Sequence, residues 1–107
     1  MAVADDPVLS RFRSTLAELY GERVERVVLY GSRARGEAGP DSDYDVLVFL
    51  KDFGIRDRHN EIKRLSRIAA DIIADTGALV SALPYPARAY LESTPLMHEV
   101  RRDGVNL

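Results

Sequence analysis

Residues 31–45 read Gly31-Ser32-Arg33-Ala34-Arg35-Gly36-Glu37-Ala38-Gly39-Pro40-Asp41-Ser42-Asp43-Tyr44-Asp45, and they lie between two short apolar runs, residues 27–30 and 46–50. Both runs are β-branched or aromatic and too brief for ordinary helices, which predicts strands. The stretch must therefore leave one strand, make a short turn of helix and enter the next. If the two strands are neighbours, this connection makes them antiparallel.

Each part of the stretch has a physical role. Gly31 allows the backbone to approach a ligand with no Cβ in the way. Ser32 suits the N-cap of a helical turn starting at Arg33. Free N–H groups and the dipole of such a turn favour an anion, phosphate above all. Asp43 and Asp45 are two apart on a strand, which puts both carboxylates on one face. Paired carboxylates repel each other and gain from a divalent cation. Mg²⁺ favours such oxygen ligands together with substrate phosphates. Arg33 and Arg35 carry guanidinium forks suited to phosphate oxygens, although both equally suit a solvated turn. A phosphate cradle facing two carboxylates predicts a metal–nucleotide site.

A calcium loop is the rival reading, because Asp41-x-Asp43-x-Asp45 is followed by Asp52 at the twelfth position. It fails at the sixth, where Val46 stands in place of the required glycine, and residues 46–50 form a strand-like run.

Gly31-Ser32, ten residues, then Asp43-Tyr44-Asp45 resembles the nucleotidyltransferase signature of the DNA polymerase beta superfamily. The local form, Gly-Ser-x-Ala-Arg-Gly followed by Ser-Asp-x-Asp, is similar to the minimal nucleotidyltransferases. The motif covers about fifteen residues, and the order of surrounding elements extends the match over most of the chain. The resemblance implies a nucleotidyltransferase fold and Mg²⁺–ATP as bound species. Asp43 and Asp45 would be the catalytic metal ligands. Gly31 and Ser32, with Arg33 and Arg35, would hold the triphosphate. It also implies a third carboxylate on the next strand, but that strand contains no acid. Ser81 matches the position, and a hydroxyl is a poor base and a weak Mg²⁺ ligand. The nearest acids by sequence are Asp75 and Glu92.

The remaining sequence predicts an α/β (α+β) fold, with a small mixed sheet of about three strands flanked by helices. Residues 1–6 read as a loose tail and residues 1–107 as one domain. Asp6-Pro7 starts a helix over 7–20, with apolar positions at helical spacing and Gly21 as its stop. A strand follows at 24–30, the short helix at 33–37 and a second strand at 44–50. A long helix is expected over about 57–75, capped by Gly77. Its apolar stripe is Ile62, Leu65, Ile68, Ala69, Ile72 and Ile73. Its charged positions, Glu61 among them, read as a solvated face. A third strand at 78–83 is expected to end at Pro84 and Pro86. Two short helices follow, 87–93 and 95–103, and residues 105–107 cover an edge or fray. Tyr30 and Tyr44 read as packing residues, and His59 and His98 as surface.

With 15 basic and 17 acidic residues the net charge is −2, which argues against a sequence-independent grip on nucleic acid. There are no cysteines, no apolar run of membrane-spanning length and no signal-peptide pattern, so a cytoplasmic protein is expected.

Three functions stay open on this reading. The first is transfer of AMP from ATP to a hydroxyl. With no second domain expected, the acceptor would come from another protein, and the resemblance suggests a tyrosine of a partner HEPN toxin, with this chain as antitoxin. The second is an antitoxin-like module that masks its partner by contact alone. The third is transfer to a small molecule.

Overall fold

The computed structural model describes residues 3–107. Helix α1, Pro7–Tyr20, begins where Asp6 Oδ1 accepts hydrogen bonds from the N–H groups of Val8 (2.9 Å) and Leu9 (3.3 Å), with proline at the first helical position. It buries Leu9, Phe12, Leu16 and Tyr20, one stripe at helical spacing. Ahead of it, Val3–Asp5 forms one 3₁₀ turn, and Val3 packs against the core, within the segment expected to be a loose tail.

Strands β1 (Val24–Tyr30) and β2 (Tyr44–Leu50) pair antiparallel. Helix α2, Arg58–Thr76, ends at Gly77, whose φ of 78° gives the left-handed cap that glycine adopts without a Cβ penalty. Strand β3 (Val80–Pro86) then lies parallel to β2. Helix α3, Pro95–Asp103, is capped by the Thr94 hydroxyl. Strand β4, Val105–Asn106, pairs antiparallel with β1. The sheet therefore has four strands in the order β3-β2-β1-β4, one more than the three expected. The fourth escapes a sequence reading because two residues have no periodicity.

The prolines expected to end β3 instead lie inside it, opposite Val48 and Leu50. Tyr44 N–H donates to the Leu79 carbonyl, so the odd-numbered residues of β3 face β2 and the even-numbered ones face outward. Pro84 and Pro86 fall on the outward positions of an edge strand, where the missing N–H breaks no rung.

Two cores clothe the sheet. On one face α1 and α2 pack over Val27, Leu29, Val46, Val48, Leu50 and Val80. On the other, α3 and the 3₁₀ turn Ala87–Leu91 pack over Val28, Leu47 and Phe49. Arg101 Nη1 ties these last two together by donating to the carbonyls of Tyr90 and Glu92.

Glu61 departs from its expected solvated face. It is only 3% exposed, because Glu61, Leu65, Ile68 and Ile72 share the inner stripe of α2. Arg23 at 3.5 Å and Arg64 at 3.3 Å compensate its charge. The neighbouring Tyr20 hydroxyl is pushed up to about 12, first by burial and then by the Glu61 charge. Ile73, assigned to the stripe by spacing, is half-exposed at the stripe's margin.

Candidate active site

The site lies at one end of the sheet, on the face that α3 covers. Alternation along β2 turns Asp45, Leu47 and Phe49 to that face, and Asp43 precedes them in the same phase. Asp43 is exposed and Asp45 half-buried. Asp45 is paired with Tyr30 of β1 on one side and Ser81 of β3 on the other. The serine therefore stands beside Asp45 in the sheet, at the position where the motif implies an acid.

Gly31 follows β1 with φ 77°. A Cβ there would sit 2.7 Å from Asp45 Oδ2, so the glycine both adopts the left-handed backbone and makes room for the carboxylate. The chain then makes a single turn rather than the expected helix. Arg35 N–H donates to the Gly31 carbonyl, Gly36 N–H to Arg33 and Glu37 N–H to Ser32. With Gly36 at φ 73°, these bonds are a glycine-type helix ending that closes after one turn. The Ser32 hydroxyl caps nothing within the described residues. The N–H groups of Ser32, Arg33 and Ala34 likewise have no backbone acceptor there, which leaves them for an anion.

The two arginines are placed differently. Arg33 Nε and Nη2 donate to the Ser42 carbonyl at 3.0 and 2.6 Å, and its guanidinium lies 3.8 Å from the centre of the Tyr44 ring. Tyr44 in turn donates its hydroxyl to Asp6 Oδ2 at 2.8 Å. Arg33 thus clamps the segment that carries Asp43 onto a buried tyrosine anchored by the cap of α1. Arg35 remains on the surface, 3.1 Å from Glu37 and 3.9 Å from Glu99.

Burial raises the Asp45 carboxyl above the usual carboxylate range, with further contributions from the charges of Asp43 and Glu99. The same surroundings push Tyr30 upward, burial first and Asp45 second. Glu99 belongs to α3 and escapes a sequence reading, since only the packing of α3 on this face brings it near. Neither Asp75 nor Glu92 takes that place; Asp75 pairs with Arg11 at 2.7 Å. Among the described residues no group of three or more potential ligands is suited to hold a metal by itself. Two carboxylates with room for phosphate oxygens fit Mg²⁺ brought in with a nucleotide.

Residues 9–87 match the family model described as nucleotidyltransferase domain. The chain belongs to the nucleotidyltransferase domain family. A candidate protein adenylyltransferase of Methanocaldococcus jannaschii is 31% identical to this nucleotidyltransferase over 100 residues, 94% of this chain and 95% of that one. The fold is shared with a structure from Sulfolobus solfataricus solved as a candidate nucleotidyltransferase (TM-score 0.65, 20% identity, 92% of this chain and 75% of that one). It is also shared with a toxin–antitoxin structure containing AMP-PNP (TM-score 0.58, 19% identity, 89% and 68%). A mutant MntA–HpeT toxin–antitoxin structure has the same fold (TM-score 0.57, 17% identity, 88% and 68%).

Two results are expected of this nucleotidyltransferase. Arg33→Met should slow transfer about tenfold through misplacement of Asp43, with ATP affinity by calorimetry nearly unchanged. An affinity loss equal to the rate loss would assign Arg33 to the phosphates instead. The second concerns Asp45 without metal. Its folded-state pKa is raised, so its contribution to stability is full below the unfolded value, about 4, and falls as pH rises through the folded one. Asp45→Asn should therefore melt at a higher temperature than the parent at pH 7, with the gap closing on acidification. An equal or lower melting temperature at pH 7 would contradict the electrostatic account.

Proposed function

We propose that the protein is a Mg²⁺-dependent adenylyltransferase that moves AMP from ATP to a protein hydroxyl. The observation that carries this reading is the close approach of Gly31 to Asp45, which sets the N–H groups of the turn beside a carboxylate. In this reading the N–H groups after Gly31, the Ser32 hydroxyl and Arg35 hold the β- and γ-phosphates. Asp43 and Asp45 hold Mg²⁺, which supplies charge neutralisation at the reacting phosphates. The acceptor oxygen bonds to the α-phosphorus, the bond to pyrophosphate breaks, and the hydroxyl proton passes to water. With Ser81 in place of an acid, no carboxylate on β3 assists that proton transfer.

The protein acceptor is supported by the 31% identical relative named for protein adenylylation. The toxin–antitoxin neighbours favour a toxin partner, and we take a tyrosine of a HEPN toxin as the acceptor, with this chain as a cytoplasmic antitoxin and single catalytic domain. No helix among the described residues is long and apolar enough to cross a membrane, in keeping with that setting.

Ser81 favours a second reading, in which the domain masks its toxin by contact alone. Intact mass spectrometry of the co-expressed partner, after incubation with ATP and Mg²⁺, separates the two. A gain of one AMP that vanishes with Asp43→Asn supports transfer. An unmodified partner, bound and silenced, supports masking.

A further inference from the structure

Of the two arginines on the Gly31 turn, Arg33 is engaged with the Ser42 carbonyl and the Tyr44 ring. Arg35 is the one left to meet an anion, and it stands between two carboxylates. Its Nε lies 3.1 Å from Glu37 Oε2 and its Nη1 lies 3.9 Å from Glu99 Oε2. The two acids differ in origin and setting. Glu37 belongs to the turn itself and keeps 63% of its side chain exposed, so water screens it. Glu99 is brought in by α3 and keeps 36%. Its charge is also felt at Asp45 and at Tyr30. Glu99 therefore acts on both halves of the site, the turn and the carboxylates. Among the described residues its one ion pair is the contact with Arg35.

These charges bear on which form of a triphosphate can enter. Asp43, Asp45, Glu37 and Glu99 stand against Arg35 and the already engaged Arg33. A bare triphosphate meets net repulsion there. Glu99 adds to it in two ways, as a like charge and as a rival for Arg35, and both act in the same direction. A triphosphate that brings a divalent cation meets the opposite field. The cation is then the largest local charge, and oxygen ligands attract it. We propose that Glu99 is a specificity-determining residue of the nucleotide site, which opposes a bare triphosphate and makes entry conditional on the divalent cation. This inference rests on the functional reading above and adds to it a residue of α3 that the reading does not use. Water reaches Glu99, so its effect on an equilibrium is modest, about fivefold at most. The selectivity falls on the cation-free form alone, because the cation offsets the same repulsion when present.

The test is an NMR titration of the isotope-labelled protein at low ionic strength, following the amides of Gly31 and Ser32. One series uses ATP with EDTA and the other ATP with Mg²⁺. Glu99→Gln should bind metal-free ATP about fivefold more tightly than the parent, with affinity for Mg²⁺–ATP changed less than about twofold. The gain should shrink at high salt, as expected of a solvent-exposed charge. Glu18→Gln removes the same net charge from an exposed position of α1, which covers the other face of the sheet, and should leave both affinities unchanged. Equal gains for the two nucleotide forms, or no gain for metal-free ATP, would overturn the proposal. Weaker binding by Glu99→Gln would overturn it too, since Glu99 would then support Arg35 rather than compete for it. The same gain in Glu18→Gln would reduce the effect to overall charge and overturn the assignment to Glu99. No response of Gly31 and Ser32 to Mg²⁺–ATP in the parent would overturn the functional reading itself, and the selectivity with it.

Discussion

Replacing Asp43 or Asp45 with asparagine is expected to lower AMP transfer about a thousandfold or more, the scale of removing a principal charge stabiliser. The folded state should survive both changes. Asp43 is exposed and engaged in no ion pair among the described residues, and ionised Asp45 is held against burial and like charge. Asparagine keeps the shape and removes the charge that would hold the cation. Asp43→Asn should therefore unfold like the parent and Asp45→Asn at a somewhat higher temperature at pH 7, and both should lose the Mg²⁺-dependent stabilisation expected of the parent when ATP is added. Near-parental transfer by either variant, measured as AMP gained by the partner, would remove that carboxylate from the catalytic set.

The second large effect falls on stability, far from any polar chemistry. Gly104→Ala is expected to destabilise the fold by about 3 kcal/mol, at the upper end for overpacking. The glycine closes α3 with an ordinary φ of −65°, so the cause is space rather than backbone strain. An added methyl would lie 2.2 Å from the Val100 carbonyl oxygen and 2.5 Å from Val28 Cγ1, closer than any side chain can settle. Val28 is on β1, and relief of the contact requires α3 to move off the sheet. Differential scanning calorimetry should show a fall of roughly 12–20 °C in melting temperature, by the usual conversion for a domain of this size. A shift of only about 2 °C would mean that α3 rides on the sheet more loosely than its contacts imply. Because Glu99 sits on α3, the variant should also lower the Asp45 pKa toward its ordinary value.

Much of this architecture is legible in the residues. Asp6-Pro7, Gly21 and Gly77 mark the ends of α1 and α2 through caps whose chemistry is local. The bounds expected for β1, β2 and α3 match the structure for the same reason: apolar runs and proline–glycine punctuation are short-range signals. What escaped depends on tertiary placement. Pro84 and Pro86 read as breakers until β3 is known to be an edge strand. Glu61 reads as solvated until Arg23, from the turn after α1, is brought against it. For the candidate site, the motif picks out Gly31, Asp43 and Asp45, and the structure sets Gly31 against Asp45 with Ser81 beside it. The destination of Arg33 was hidden, since a guanidinium serves phosphate or a carbonyl equally well and only the fold of the loop decides between them. Glu99 was hidden by more than fifty residues of intervening chain.

Pro84 and Pro86 have one more consequence. An open sheet presents two margins to which a foreign strand can add, the usual start of aggregation. Here β4 offers only two residues at one margin, and the two prolines remove the outward donors from the far half of β3 at the other. Neither margin can template a long ladder, so the domain should resist strand-mediated aggregation at concentrations where a bare four-stranded sheet would not.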